Sequence, residues 1–205
     1  LILLSFASAS GPSGPSGGSA VRADDAFRML QTGNRRFAEG DTANRHRDAV
    51  RRQEIAHGQS PFATIVTCSD SRVVPEFIFD QGLGDLFVVR VAGNTLDPVA
   101  IGSIEYAVEH LGTKLVVVMG HKRCGAVGAA VKGGHLPGSI PHVVEPIGPS
   151  VKAAKRLPGD HQDNATVLNA QKMAKGLINR SDIVRESVKN GSLKVMPMYY
   201  DLDTG

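Results

Sequence analysis

Near its N-terminus the chain shows a helical apolar period at Ala23, Phe27, Leu30 and Phe37, with Asn34 in the one polar slot of that stripe and Arg28, Gln31 and Arg35 off it. This spacing predicts an amphipathic helix ending near Gly40. A second, polar helix is expected from Ala43 to His57, closed by Gly58. The pattern then changes. Ala63-Thr64-Ile65-Val66-Thr67, Leu86-Phe87-Val88-Val89-Arg90-Val91 and Leu115-Val116-Val117-Val118-Met119 are short apolar runs of the kind that form strands buried on both faces. Between the second and third runs, Asp97 to Leu111 is helical, with Ile101, Ile104, Ala107, Val108 and Leu111 on one side and Pro98 suited to its first turn. A tightly packing helix is expected to start at Cys124-Gly125-Ala126. Pro137, Pro141, Pro146, Pro149 and Pro158 break the following stretch into loop and short helix. One long helix is predicted from Ala165 to Asn190, stopped by Gly191, and Leu193 to Tyr200 reads as a last strand. Pro197, which has no N–H to donate, places that strand at a sheet edge.

Strands separated by helices indicate an α/β fold: a mostly parallel central sheet of four to five strands flanked by helices, with an N-terminal helical arm. Such a sheet carries its active crevice outside the strands' carboxyl ends. With 205 residues, 41% of them apolar, the chain has the material for one ordinary domain, assigned to residues 21–205. Residues 10–20 hold nothing larger than proline and are expected to be a flexible Gly/Pro/Ser linker. Ahead of them, Leu1-Ile2-Leu3-Leu4-Ser5-Phe6 followed by Ala7-Ser8-Ala9 is patterned like the end of a secretory apolar region and its cleavage site. Residues 1–20 are therefore read as a signal-peptide remnant plus linker, and the protein as periplasmic or secreted; an arbitrary apolar start on a cytoplasmic protein is the alternative. Elsewhere nothing approaches the roughly 18 apolar residues that span a bilayer, so no stable membrane insertion is expected. The net charge is only +3, and the basic residues are scattered, as in Arg35-Arg36, Arg51-Arg52 and Lys122-Arg123, which argues against a nucleic-acid partner.

The chain has two cysteines, Cys68 and Cys124, enough for one bridge at most, and a metal site competes with that bridge and with inert burial. Cys68-Ser69-Asp70-Ser71-Arg72 follows the first predicted strand, so thiolate, carboxylate and guanidinium share one rim. Alone this reads first as a salt bridge beside an inert thiol. His121-Lys122-Arg123-Cys124 follows the third strand, and a spacing of three at a helix start lets imidazole and thiolate converge. Together the two segments bring both cysteines and a histidine to the ends of two core strands, the inventory of a zinc site. Two soft thiolates and an imidazole favour Zn2+ over magnesium or calcium, with iron the minor alternative. Three protein ligands would leave a fourth position for water, whose pKa zinc can lower to about 7. A structural site would instead be closed by a fourth side chain, so the role of Asp70 separates the catalytic from the structural reading.

C-x-D-x-R followed about fifty residues later by G-H-x-x-C-G resembles the signature of the β-class carbonic anhydrases. The resemblance spans about residues 22 to 203, including Phe79 to Asn94, Ser103 to Ala107 and Tyr200-Asp201-Leu202-Asp203. It implies zinc on Cys68, His121 and Cys124, and reversible hydration of carbon dioxide to bicarbonate and a proton by zinc-bound hydroxide. Asp70, kept ionised and off the metal by Arg72, would orient that hydroxide; in a closed form the pair would break and Asp70 would bind zinc. The matching substrate pocket would use Gln59, Phe87, Ala92, Tyr106 and the backbone at Gly125. No organic cofactor is implied, and no histidine is assigned as proton shuttle. The likeness further implies a homo-oligomer, dimer or tetramer, with the N-terminal helices embracing a neighbour and the pocket glutamine near that interface. The chain has no Trp, which some bicarbonate-regulated members use at a secondary anion site, so the resemblance leaves bicarbonate allostery open. The rival readings are another hydrolase on the same scaffold, such as one acting on carbon disulfide, and a zinc-closed binding protein.

Overall fold

A computed structural model describes residues 21–205, and the expected signal remnant and linker lie outside the described residues. The strands are β1 (Ala63–Thr67), β2 (Leu86–Arg90), β3 (Leu115–His121) and β4 (Lys194–Tyr200). They form one sheet in the order β2-β1-β3-β4, with every neighbouring pair parallel. The helices are α1 (Ala23–Glu39), α2 (Ala49–Glu54), α3 (Pro75–Ile78), α4 (Pro98–Glu109), α5 (Gly125–Lys132), α6 (Ile140–Val144), α7 (Gly148–Ala154), α8 (His161–Arg180) and α9 (Asp182–Lys189). Two short 3-10 turns, Ala92–Asn94 and Glu145–Ile147, complete the order.

Alternation along the central strands divides the core into two layers. Ile65, Val117 and Met119 face Leu30 of α1 and Ile78 of α3, whereas Val66, Val116 and Val118 face Ile104 of α4 and Met173 and Leu177 of α8. A third apolar cluster lies beyond the strands' carboxyl ends and contains Cys68, Cys124, Val127 and Ile147. β4 is an edge strand, with Pro197 opposite Val118, as its missing N–H predicts. The chain leaves β1 toward β2 on one side and returns as β3 on the other. The carboxyl ends of β1 and β3 therefore flank the point where the strand order reverses, the usual place for a binding crevice.

Two expected helices need correction, and one element was not anticipated. The polar helix expected from Ala43 to His57 shrinks to Ala49–Glu54. The buried Asp80 carboxylate accepts the N–H groups of Ala43 and Asn44 at 2.9 and 3.1 Å, while Asn44 and His46 take left-handed backbone (φ 51° and 57°), so Asp48 becomes the cap, accepting from Arg51 N. The long helix expected from Ala165 to Asn190 is two helices, broken at Ser181 (φ −119°, ψ 119°), whose hydroxyl accepts from Val184 N and donates to Glu105 at 2.6 Å. The short α3, opened by Pro75, had no periodicity long enough to announce it. In contrast α1 follows its stripe, and Asn34 fills the polar slot by donating to the carbonyls of Ile78 and Gly205 at 3.2 and 2.6 Å.

Candidate metal centre

Each candidate ligand is delivered by an element boundary. β1 ends at Thr67 and delivers Cys68; β3 ends on His121; Cys124 is the residue that opens α5, where unpaired helix N–H groups favour negative charge. All three are buried, and their ligand atoms lie within 4.8 Å of one another. The two sulfurs are 3.9 Å apart, far from the 2.05 Å of a bond, and both thiols are free. Two sulfurs bound at about 2.3 Å to one tetrahedral zinc would stand about 3.8 Å apart, so the observed separation fits the ion.

His121 is prepared for the same task. Its Nδ1 lies 3.0 Å from the Lys122 carbonyl, which can only accept, so Nδ1 carries the proton and the lone pair is on Nε2. That nitrogen is fully buried and has no hydrogen-bond partner among the described residues. A buried acceptor without a donor is costly, and a cation between the three side chains would satisfy it. The thiols agree. A hydrogen bond from Cys124 draws the Cys68 thiol down against its own burial, helped by the Gly93 N–H. Cys124 is pushed up by the adjacent Cys68 and by burial, so keeping both as thiolates takes a positive charge between them. Cys68, His121 and Cys124 thus fit a metal ion, zinc being the one their donor set prefers.

Asp70 stands at the rim of this cluster, paired with Arg72. Arg72 Nε and Nη2 donate to Oδ1 and Oδ2 at 2.9 and 2.7 Å, and the Arg72 backbone N–H adds a third bond at 3.0 Å. The guanidinium hydrogen bond outweighs burial and holds the Asp70 carboxyl well below the usual carboxylate range. Asp70 Oδ2 remains 3.8 Å from His121 Nε2.

Of the five residues expected to line a pocket, the chain brings two to the cluster. Ala92 precedes Gly93, whose N–H donates to Cys68 Sγ at 3.2 Å, and Gly125 follows Cys124. The other three are elsewhere. Gln59 is exposed before the start of β1, at the end of the strand opposite Cys68. Phe87 pairs with Thr64 early in β1, and its ring lies 6.5 Å from that of Tyr106, itself 49% exposed.

Several groups at the site had no role in the sequence reading. Arg90 at the end of β2 donates to the carbonyls of Cys68 and Asp70 at 3.2 and 2.6 Å, clamping the loop that carries both. Lys122 and Arg123, between the ligands His121 and Cys124, are tied to the C-terminal segment: Arg123 grips Asp203 at 2.9 and 2.5 Å, and Lys122 reaches Asp201 at 3.1 Å. An arginine closing an otherwise apolar strand beside the cysteine strand was the available signal for Arg90. The aspartates carried no signal beyond their place in a familiar terminal motif.

The carbonic anhydrase family model matches residues 63–205. Carbonic anhydrase 2 of Mycobacterium tuberculosis is 42% identical over 184 residues, covering 88% of this chain and 89% of that protein. A carbonic anhydrase of Mycolicibacterium smegmatis is 36% identical over the same shares. Among solved structures, the Coccomyxa β-carbonic anhydrase in complex with acetazolamide superposes with a TM-score of 0.68 at 28% identity, over 85% of this chain and 82% of that one. With its parallel sheet, its Cys-His-Cys cluster at the strand ends and these relatives, the chain belongs to the β-class carbonic anhydrases, enzymes that hydrate carbon dioxide.

Proposed function

We propose that this chain hydrates carbon dioxide reversibly to bicarbonate and a proton at a zinc ion held by Cys68, His121 and Cys124, with Asp70 and Arg72 as its catalytic pair. The observation that carries this reading is a buried three-ligand cluster with an ionised carboxylate beside it that is engaged elsewhere. Zinc, when bound, would supply a Lewis acid that makes hydroxide available from water near neutral pH. The chain's own groups do the rest. Cys68, His121 and Cys124 would hold the ion, while the bonds from Arg72 keep Asp70 turned away from them. As an ionised carboxylate, Asp70 can only accept hydrogen bonds, so it would accept one from an O–H group beside the three ligands and orient it. Arg90 and the Gly93 N–H hold the Cys68–Asp70 loop and the Cys68 sulfur in register. The apolar cluster of Val127, Ile147 and Val151 beneath the site excludes water from its inner side. If Asp70 released Arg72, the same carboxylate could take the fourth position and shut the site.

Gln59 precedes β1, Phe87 pairs with Thr64 early in that strand and Tyr106 on α4 lies beside Phe87, so none of the three sits at the strand ends that carry the cluster, which supports a pocket completed by a second copy. The apolar opening residues Leu1 to Phe6 support export, and a mature N-terminus near Ser10 in a periplasmic fraction would bear that out.

Stopped-flow hydration of carbon dioxide tests the reading. Activity should rise with pH through neutrality; zinc-replete protein without activity over that range would overturn it. Asp70→Asn and Arg72→Ala should keep one zinc per chain yet lose about a hundredfold or more in turnover, whereas Cys124→Ala should lose the metal. Equal metal loss in all three would point to a structural site.

A further inference from the structure

Helix α8 presents Gln162, Thr166 and Asn169 at spacings of four and three, which puts them on one face. Each meets the backbone beside a different ligand. Gln162 Nε2 donates to the carbonyl of Cys124 at 2.9 Å. Thr166 packs against Gly120, the residue before His121, so closely that a Cβ there would lie 2.9 Å from Thr166 Cγ2. Asn169 Nδ2 donates to the carbonyl of Gly93 at 2.9 Å, and the N–H of Gly93 is the group that donates to the Cys68 sulfur. Asn169 is fully buried and its Oδ1 has no partner among the described residues, so the bond to Gly93 is what its burial secures. The helix lies in sequence beyond all three ligands, yet one stripe of it touches the support of each.

We propose that Gln162 and Asn169 are positioning residues of the metal centre, fixing the two sulfurs at their metal-binding separation through the backbone of Cys124 and Gly93, while Thr166 sets the seat of His121. This rests on the metal reading above. Neither amide touches the reacting atoms; each acts through a peptide group, as outer partners of metal ligands commonly do.

A merely structural role predicts that zinc affinity follows overall stability; positioning predicts that it does not. Gln162→Met keeps the length of the side chain and removes the donor, Asn169→Ala removes the other amide, and Met173→Ala weakens the same helix where it faces the sheet core rather than the ligands. Zinc affinity is measured by competition with a chromogenic chelator, and ligand geometry from the sulfur-to-cobalt charge-transfer band of the cobalt-substituted protein. Gln162→Met and Asn169→Ala should lower zinc affinity by about ten- to a hundredfold and change the band, while Met173→Ala, though less stable, should bind like wild type. If Asn169→Ala does not fold, Gln162→Met decides alone. Unchanged affinity and band in the folded variants would overturn the proposal, as would losses in all three that simply track stability. Wild-type protein that takes up no zinc would overturn the metal reading itself, an outcome distinct from intact wild-type binding with unaffected variants.

Discussion

Gly93 shows how narrow the tolerances are beside the ligand sulfurs. Its φ of 65° is left-handed, and a Cβ there would approach Ile147 Cδ1 to 2.8 Å and Ala126 Cβ to 3.1 Å. Gly93→Ala should therefore destabilise the protein by about 2–3 kcal/mol and weaken zinc binding, because the N–H aimed at Cys68 must move; urea unfolding with and without zinc measures both. Asp80 gives a pH dependence remote from the metal. Burial pushes its carboxyl up, but the Ala43 N–H, the Arg36 guanidinium at 2.5 Å and the Asn44 N–H outweigh it and hold it below its ordinary value. Its stabilisation is complete above the unfolded-state value of about 4 and drains away as pH falls through the lower folded value. Asp80→Asn should cost about 2 kcal/mol at neutral pH and flatten the loss of stability below pH 4; parallel curves for the two proteins would show that Asp80 is not the group responsible. At this scale the candidate ligands were legible because Cys and His announce their chemistry by type. Their supports were not, because Arg90, Gln162 and Asn169 act on backbone carbonyls that every residue possesses.

Among the elements, β1, β3 and α1 were read correctly, whereas β2, read as buried on both faces, is a half-buried strand at the sheet edge. β1, β3 and α1 needed only their own apolar positions, since a strand covered on both faces or a helix with one apolar stripe declares its surroundings. The misread elements were decided by partners distant in sequence. Residues 43–48 have the polarity of an exposed helix, but Asp80 captures their first N–H groups. The stretch through Ser181 has helical composition on both sides, but Glu105 on α4 accepts the Ser181 hydroxyl and the backbone turns there to place α9 against α4. Ser181→Ala removes both the cap of α9 and the partner of Glu105, and should cost about 1–2 kcal/mol in urea unfolding without fusing the helices. A substitution at Gly120 reaches α8 from the other side: Gly120→Ala should cost about 1–3 kcal/mol by driving a methyl group into Thr166.

The whole molecule sets what a single chain can and cannot complete. The Cys-His-Cys cluster at the carboxyl ends of β1 and β3, with Gln59 ahead of β1, Phe87 early in β2 and Tyr106 on α4, predicts that two copies share each pocket. Mixing inactive Cys124→Ser protein with a Gln59→Ala, Tyr106→Ala double variant, with subunit exchange, should restore roughly a quarter of wild-type activity. Half of random dimers are mixed, and one of their two sites is then intact. No recovery despite exchange would mean the pocket is built within one chain, and sedimentation of the wild type should show a dimer or larger species. Residue type and period were enough to determine the parallel α/β sheet and to single out Cys68, His121 and Cys124 as candidate ligands, since burial pattern and donor chemistry are local properties of the chain; the roles of Asp70 and Arg72 came from the resemblance. Only the tertiary structure decided that Asp70 rests on Arg72, that α8 reaches behind the candidate ligands, and that the residues expected to line a pocket divide into two groups. Those facts depend on distances between segments far apart in sequence, which packing fixes and local patterns do not encode.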